Sequence, residues 1–242
     1  MRVLVVTAVP VERDAVTRAF GGPEERLALP GAELHRRGAF DVLAGGAGPA
    51  AAAAATAFAL ASGAPASGAS ASAPYGLVVS AGIGGAFSPV TPLGSLIVAD
   101  GIVAADLGAE TADGFLPVTA LGFGRDRFTP PPALVRAVAA ATGAAAGPVL
   151  TVSTVTGSAE RAGALLAAHP GALAEAMEGF GVAEAAARAD VPVLEVRAVS
   201  NAVGPRDRDA WRIGDALAAL TDAFGKAAPV LEGWNSHEDL EG

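Results

Sequence analysis

The chain contains no cysteine. Disulfides, thiolate metal sites and cysteine nucleophiles are excluded together by that one absence. Only three histidines occur (His35, His169 and His237), too dispersed to form a ligand cluster, and Lys226 is the single lysine. With 16 basic against 25 acidic residues and a net charge of -9, the basic footprint that binds a phosphate backbone is missing. Nucleic acid is therefore excluded as an expected partner. Charge is absent altogether from 42–99. Gly, Pro and Ser interrupt that stretch so often that no run of roughly 18 to 20 strongly apolar residues survives, which argues against a membrane span. The opening Met1-Arg2-Val3-Leu4-Val5-Val6-Thr7 lacks the long apolar core of a signal peptide and reads as a first strand. A reducing, cytoplasmic setting is the expectation.

What is present is alanine: about 60 of 242 residues, which inflates the 52% hydrophobic content. The length suits one large domain over 1–242, with a low-complexity loop at 62–74 (SGAPASGASASAP) and a disordered tail at 234–242. Continuous β-branched runs, as at 3–8, suit strands buried on both faces. Strands are expected at 3–8, 33–37, 40–44, 77–80, 95–105, 149–153, 173–177 and 194–200. Helices are expected at 10–20, 49–61, 131–142, 158–168, 179–189 and 209–225. Alternation of this kind implies an α/β fold, a three-layer sandwich whose central mixed, largely parallel sheet is flanked by helices. Ligands in such sheets lie at the carboxyl ends of the strands, so the residues that follow each strand are the ones to inspect.

Gly46-Ala47-Gly48-Pro49-Ala50-Ala51 has the G-x-G-x-x-A shape of a dinucleotide fingerprint. The acid expected about 20 residues later is missing, and a tight turn with close helix packing explains the glycines equally well. Gly82-Ile83-Gly84-Gly85 reads as a second glycine turn. Two carboxylates say more. Glu12 follows the first strand, and Glu178 stands between a strand and a helix. Each alone can be read as a helix-start acid stabilised by the helix dipole. Both, however, fall at the same edge of the inferred sheet, where Asn201 adds an amide directly after Ser200.

The order of these segments resembles the nucleoside phosphorylase/nucleosidase family. The resemblance rests on Glu12, the turn at 45–48, Ser80 to Gly85, the 152–158 segment with Val155, Met177-Glu178, and Arg197 to Asn201. It covers about 1–220 and is nearest to the hydrolase branch typified by methylthioadenosine/adenosylhomocysteine nucleosidase. Asp106-Leu107-Gly108-Ala109-Glu110-Thr111 and Gly204-Pro205-Arg206-Asp207 are similar to the part of that branch that cleaves futalosine in menaquinone biosynthesis.

The resemblance implies a role for each matching residue. Glu12 would activate water, Glu178 would accept the 2′ and 3′ ribose hydroxyls, and Met177 would pack on the sugar. Asn201 would face the purine, where adenine-specific relatives carry Asp. An amide donates to N7 and O6 but supplies no proton, so the expected leaving base is hypoxanthine. Gly82 falls where relatives carry a serine that contacts water or ribose, and Val155 and Ser200 are further substrate contacts. Arg206, Arg208 and Trp211, with Phe115, are candidates for meeting the aromatic carboxylate on the 5′ side. A surface Arg-Asp-Arg-Asp ladder with Trp211 as core anchor is the other reading of that segment. The implied partners are a purine nucleoside and other copies of the chain in a homo-oligomer; no metal or cofactor is implied.

Phosphorylases of the family hold phosphate with an Arg on the strand that here reads Leu77-Val78-Val79-Ser80, and the missing cation favours hydrolysis. Two rivals stand beside this reading. One is an inosine-type 6-oxopurine nucleosidase or phosphorylase, the other a non-catalytic nucleoside- or dinucleotide-binding protein.

Overall fold

The structure, a computed structural model, describes residues 1–62, 75–87, 91–112 and 114–234. The loop expected at 62–74 and the tail expected at 234–242 lie outside those residues apart from Ser62, the last residue of a helix, and the buried Trp234.

In chain order the elements are β1 (Val3–Thr7), α1 (Pro10–Thr17), β2 (Glu25–Leu29), β3 (Ala32–Arg37), β4 (Phe40–Ala44), α2 (Pro49–Ser62) and β5 (Leu77–Ala86). Then come β6 (Leu96–Ala104), β7 (Gly108–Thr111), β8 (Gly114–Pro117), β9 (Arg127–Phe128), α3 (Pro132–Thr142), β10 (Ala145–Thr151) and α4 (Ala159–Ala168). The rest are β11 (Ala174–Ala176), α5 (Gly179–Arg188), β12 (Val193–Ala202), a short 3-10 turn at Arg208–Ala210, and α6 (Ile213–Gly233).

All five residues of β1 are buried, because the strand lies between β4 and β5, parallel to both, and is covered on both faces. Side chains alternate across a strand, and that period divides the core in two. Val3 and Val5 pack with Val16 of α1, Leu134 of α3 and Phe224 of α6. Leu4 and Val6 pack with Ala52 and Ala59 of α2 and Val182 of α5. A sheet between two helical layers is the outcome, as the alternation of elements implied. Among the described residues, no helix is long and apolar enough to cross a membrane.

The sheet runs β11-β10-β6-β12-β5-β1-β4-β3-β2 and also closes on itself, since β11 pairs with β5 in antiparallel fashion. That closure was not visible in the sequence, and it corrects one expectation. Residues 82–85 are not a turn but the continuation of β5, paired with β12 through Ala202↔Ala86. Glycine is used there because strands crowd the end of β5: a Cβ on Gly84 would lie 2.9 Å from the Glu175 carbonyl. A second correction concerns the last helix, which starts at Ile213 and runs through Pro229 to Gly233. Burial of Ala227 and Leu231 carries it past the expected end at 225. The polar edge strand β2 and the β7–β8 hairpin were not anticipated.

Candidate active site

Glu12 is the third residue of α1 and reaches back over the helix start. Its Oε2 accepts the Ala8 N–H at 3.0 Å and the Val9 N–H at 3.2 Å, and its Oε1 accepts the Ile83 N–H of β5 at 2.9 Å. The residue is only 3% exposed. Burial pushes its carboxyl above the ordinary value; the Ile83 N–H and Arg197 oppose the shift, and Glu178 reinforces it. A desolvated acid held in place by backbone donors is suited to act as a general base.

Glu178 stands at the start of α5, directly after the half-buried Met177. Its Oε1 accepts the Gly48 N–H at 3.2 Å and its Oε2 accepts Arg197 Nη1 at 3.3 Å. Gly48 has φ 90, a left-handed conformation that glycine adopts without strain, so the turn at 45–48 presents an amide to a carboxylate. Of the fingerprint-like glycines, Gly48 thus serves Glu178, while the Gly46 N–H goes to the Ala8 carbonyl.

Arg197 sits opposite Gly82 in the β12–β5 register and fills the space a side chain there would occupy. A Cβ on Gly82 would lie 2.7 Å from Arg197 Nη1 and 2.8 Å from Glu12 Oε1. The guanidinium is 1% exposed; its Nε donates to Glu195 at 2.8 Å and its Nη2 donates to Ser80 Oγ at 3.0 Å. A cation therefore does stand beside Ser80, where the strand sequence suggested none. Two carboxylates already hold it.

At the end of β12, Ser200 Oγ–H donates to Asn201 Oδ1 at 2.8 Å, and Asn201 Nδ2 donates to the Ala202 carbonyl at 2.9 Å. Those two bonds fix which end of the amide is the donor, and Nδ2 keeps a second N–H. Glu12, Met177, Glu178, Asn201, Val155 and Trp211 all line one cavity of about 260 Å³. A cleft with a desolvated base on one wall and an amide donor on another can position water against a bound nucleoside.

The family described as the phosphorylase superfamily matches residues 13–232. The chain belongs to that superfamily. A futalosine hydrolase of Streptomyces coelicolor is 67% identical over 239 residues, 98% of this chain and 100% of that one. One of Acidothermus cellulolyticus is 42% identical over 226 residues, covering 91% and 88%. Among solved structures, the 5'-methylthioadenosine/S-adenosylhomocysteine nucleosidase of Neisseria meningitidis superposes with TM-score 0.79 at 17% identity, covering 95% of this chain and 99% of that one. At that identity the likeness speaks for the fold.

Within this superfamily fold, the expected site residues fall in four places. Glu12, Met177, Glu178, Val155, Ser200, Asn201 and Trp211 meet at the cleft. Gly82 lies one layer behind it, against Glu12 and Arg197. Arg206 and Arg208 are exposed and stand over the Trp211 ring, 5.4 and 6.0 Å from its centroid. Phe115, on β8, is the exception: it lines a different cavity, with Asp106 and Arg161, because the β7–β8 hairpin carries it away.

Arg197, Glu195, Glu175 and Thr156 were missed as functional residues. Glu195 and Arg197 could have been found, since a Glu-x-Arg pair inside the apolar run at 193–199 puts two charges on one face of a buried strand. Thr156 donates to Glu175 from N at 2.9 Å, a contact between the segment after β10 and the neighbouring strand β11.

Proposed function

We propose that the chain hydrolyses the N-ribosidic bond of futalosine and releases hypoxanthine. The reading is carried by one observation. A buried Glu12, a buried Glu178 and an amide donor at Asn201 converge on a single cleft, in a chain 67% identical to a futalosine hydrolase along its whole length.

The chemistry follows from the side chains. Glu12 takes a proton from water as the oxygen bonds to C1′ of the ribose. The C1′–N9 bond breaks and its electron pair leaves with the base. Asn201 donates to the N7 and O6 edge, where negative charge grows, and so stabilises the departing purine. Glu178 accepts the ribose hydroxyls and holds the sugar while it carries positive charge. The base takes up one proton, Glu12 returns to its ionised form, and one water is consumed.

Hydrolysis is favoured over phosphorolysis because Arg197 is committed to Glu195 and Glu178. The product would pass toward menaquinone, in the cytoplasm. A homo-oligomer is part of the same reading, supported by Leu107, Phe115 and Leu116 exposed together at the β7–β8 hairpin. The test is a product assay on futalosine and inosine with and without phosphate. Free hypoxanthine at equal rates in both conditions supports the reading, and a phosphorylated sugar product overturns it.

A further inference from the structure

Glu175 and Asn201 flank the same residue. The β5–β11 register sets Glu175 opposite Gly85, and the β5–β12 register sets Asn201 opposite Gly85. Side chains of residues paired across neighbouring strands point to the same face, and both Glu175 and Asn201 line the cleft. Gly85 contributes no side chain between them. Two strand spacings separate the outer residues, roughly 10 Å between backbones. The Asn201 amide and Val203 stand over Gly85, 3.1 and 2.9 Å from where a Cβ there would lie, so a base held between Glu175 and Asn201 lies above them in the cleft.

Glu175 is 5% exposed, yet its carboxylate does not use up its hydrogen-bonding capacity. Oε1 accepts the Thr156 N–H at 2.9 Å and Oε2 accepts the Thr156 Oγ–H at 2.5 Å. Each oxygen has a second acceptor position. One wall of the cleft is therefore an acceptor, and the opposite wall, at Asn201, is a donor. Purines differ in the pattern they offer to such a pair. A 6-oxopurine has acceptors at N7 and O6 and a donor at N1–H. A 6-aminopurine has a donor at its exocyclic nitrogen and a bare acceptor at N1.

We infer that Glu175 accepts the N1–H of the bound base, so that Glu175 and Asn201 together, not Asn201 alone, select a 6-oxopurine. The inference rests on the nucleosidase reading above. It makes Glu175 a specificity-determining residue braced by Thr156. A 6-aminopurine in the same place would set its N1 lone pair against a carboxylate and leave a buried acceptor unpaired, a discrimination of about 10- to 100-fold.

The experiment compares kcat/KM for futalosine and for its 6-amino counterpart in the wild type and in Glu175→Gln. The amide keeps an acceptor for Thr156 and turns a donor toward the base. The expected result is a fall of about 10- to 100-fold for futalosine and a 6-oxo to 6-amino ratio that narrows by a similar factor. Equal losses on both substrates would mean that Glu175 only braces the 154–156 segment, and would overturn the proposal. Should Glu175→Gln not fold, Glu175→Asp withdraws the carboxylate by one methylene; a narrowed ratio supports the proposal and an unchanged ratio refutes it. If the wild type releases no hypoxanthine from futalosine, the functional reading fails first. Titration with free hypoxanthine and free adenine then still reads Glu175: loss of a hypoxanthine preference in the variant supports the role, and no change refutes it.

Discussion

Arg197 Nη1 lies 3.3 Å from Glu178 Oε2, with both side chains nearly closed to solvent at 1% and 7%. Glu195 occupies the Nε side of the same guanidinium at 2.8 Å, and Glu12 stands close enough to feel its charge. One buried cation thus serves three buried acids. Removing it leaves carboxylates unpaired in a low-dielectric interior, which is far costlier than losing an exposed ion pair.

Arg197→Met should therefore destabilise the fold by about 3–5 kcal/mol. Replacing Glu195 by Met as well should return part of that loss, because the double variant no longer buries an unpaired Glu195. Urea denaturation of the two single variants and the double variant checks this. Additive losses would show that the two side chains are not coupled.

Glu12→Gln should keep ligand binding within a few-fold and lower kcat by about 100- to 10,000-fold, the usual contribution of a positioned base. The pH profile carries a further signature. Because burial raises the Glu12 carboxyl, activity should climb with pH through a limb above the ordinary carboxylate range. Stability runs the opposite way. A raised acid contributes stability that is complete below the unfolded value and is lost as pH rises through the folded one. Steady-state rates and thermal melts across pH 4 to 8, roughly spanning that range, measure both trends.

Gly82→Ala is the substitution that reads the cleft's back wall. Its Cβ would come within 2.7 Å of Arg197 Nη1 and 2.8 Å of Glu12 Oε1. Both groups are hydrogen-bonded and buried, so neither yields cheaply, and the variant should lose about 1–3 kcal/mol of stability. Displacement of Glu12 should also lower kcat more than it changes KM. A variant with normal kcat would show that Glu12 tolerates the shift.

The back wall also shows how much the sequence disclosed. β1 and the helices on both sides were legible because continuous β-branched runs and alanine-rich periodic segments encode burial locally. Glu12, Glu178 and Asn201 could be grouped from the sequence because each lies at or shortly beyond the carboxyl end of a strand, and a parallel arrangement sends those ends to one edge. Glycines 82–85 were misread as a turn, since nothing local distinguishes a glycine that bends the chain from one that lets β11 and β12 approach β5. Glu175 was invisible for the same reason. Its partner Thr156 is 19 residues away and meets it only through the pairing of β10 with β11.

Asn201→Asp tests the donor side of the base site. The Nδ2 position now donates to the Ala202 carbonyl at 2.9 Å. A carboxylate oxygen there would face that carbonyl, so the protonated acid is favoured in its place. That single proton is held by the Ala202 carbonyl, so the acid presents only acceptors to the base and can take a hydrogen bond from a 6-amino group where the amide gave one to N7 or O6. Preference should move toward 6-aminopurine nucleosides, as judged by the ratio of kcat/KM values. An unaltered ratio would place specificity elsewhere on the cleft.

Arg206 and Arg208 offer a test at the mouth of the site. Both are exposed and lie over Trp211, whose ring borders the cleft. An anionic group on the 5′ side of a nucleoside would meet two guanidinium groups there in a protein whose net charge of -9 otherwise repels it. Exposed pairs are weak and screened by salt, so each Arg→Ala variant should raise KM for a carboxylate-bearing nucleoside by about 3- to 10-fold at low ionic strength. The effect should shrink at high salt, and kcat should hold, because neither side chain touches the ribosidic bond. Inosine, which lacks the carboxylate, is the control: its KM should not move in either variant. An equal rise for inosine would assign the two arginines to the folding of the segment before α6 instead of to the substrate's charge.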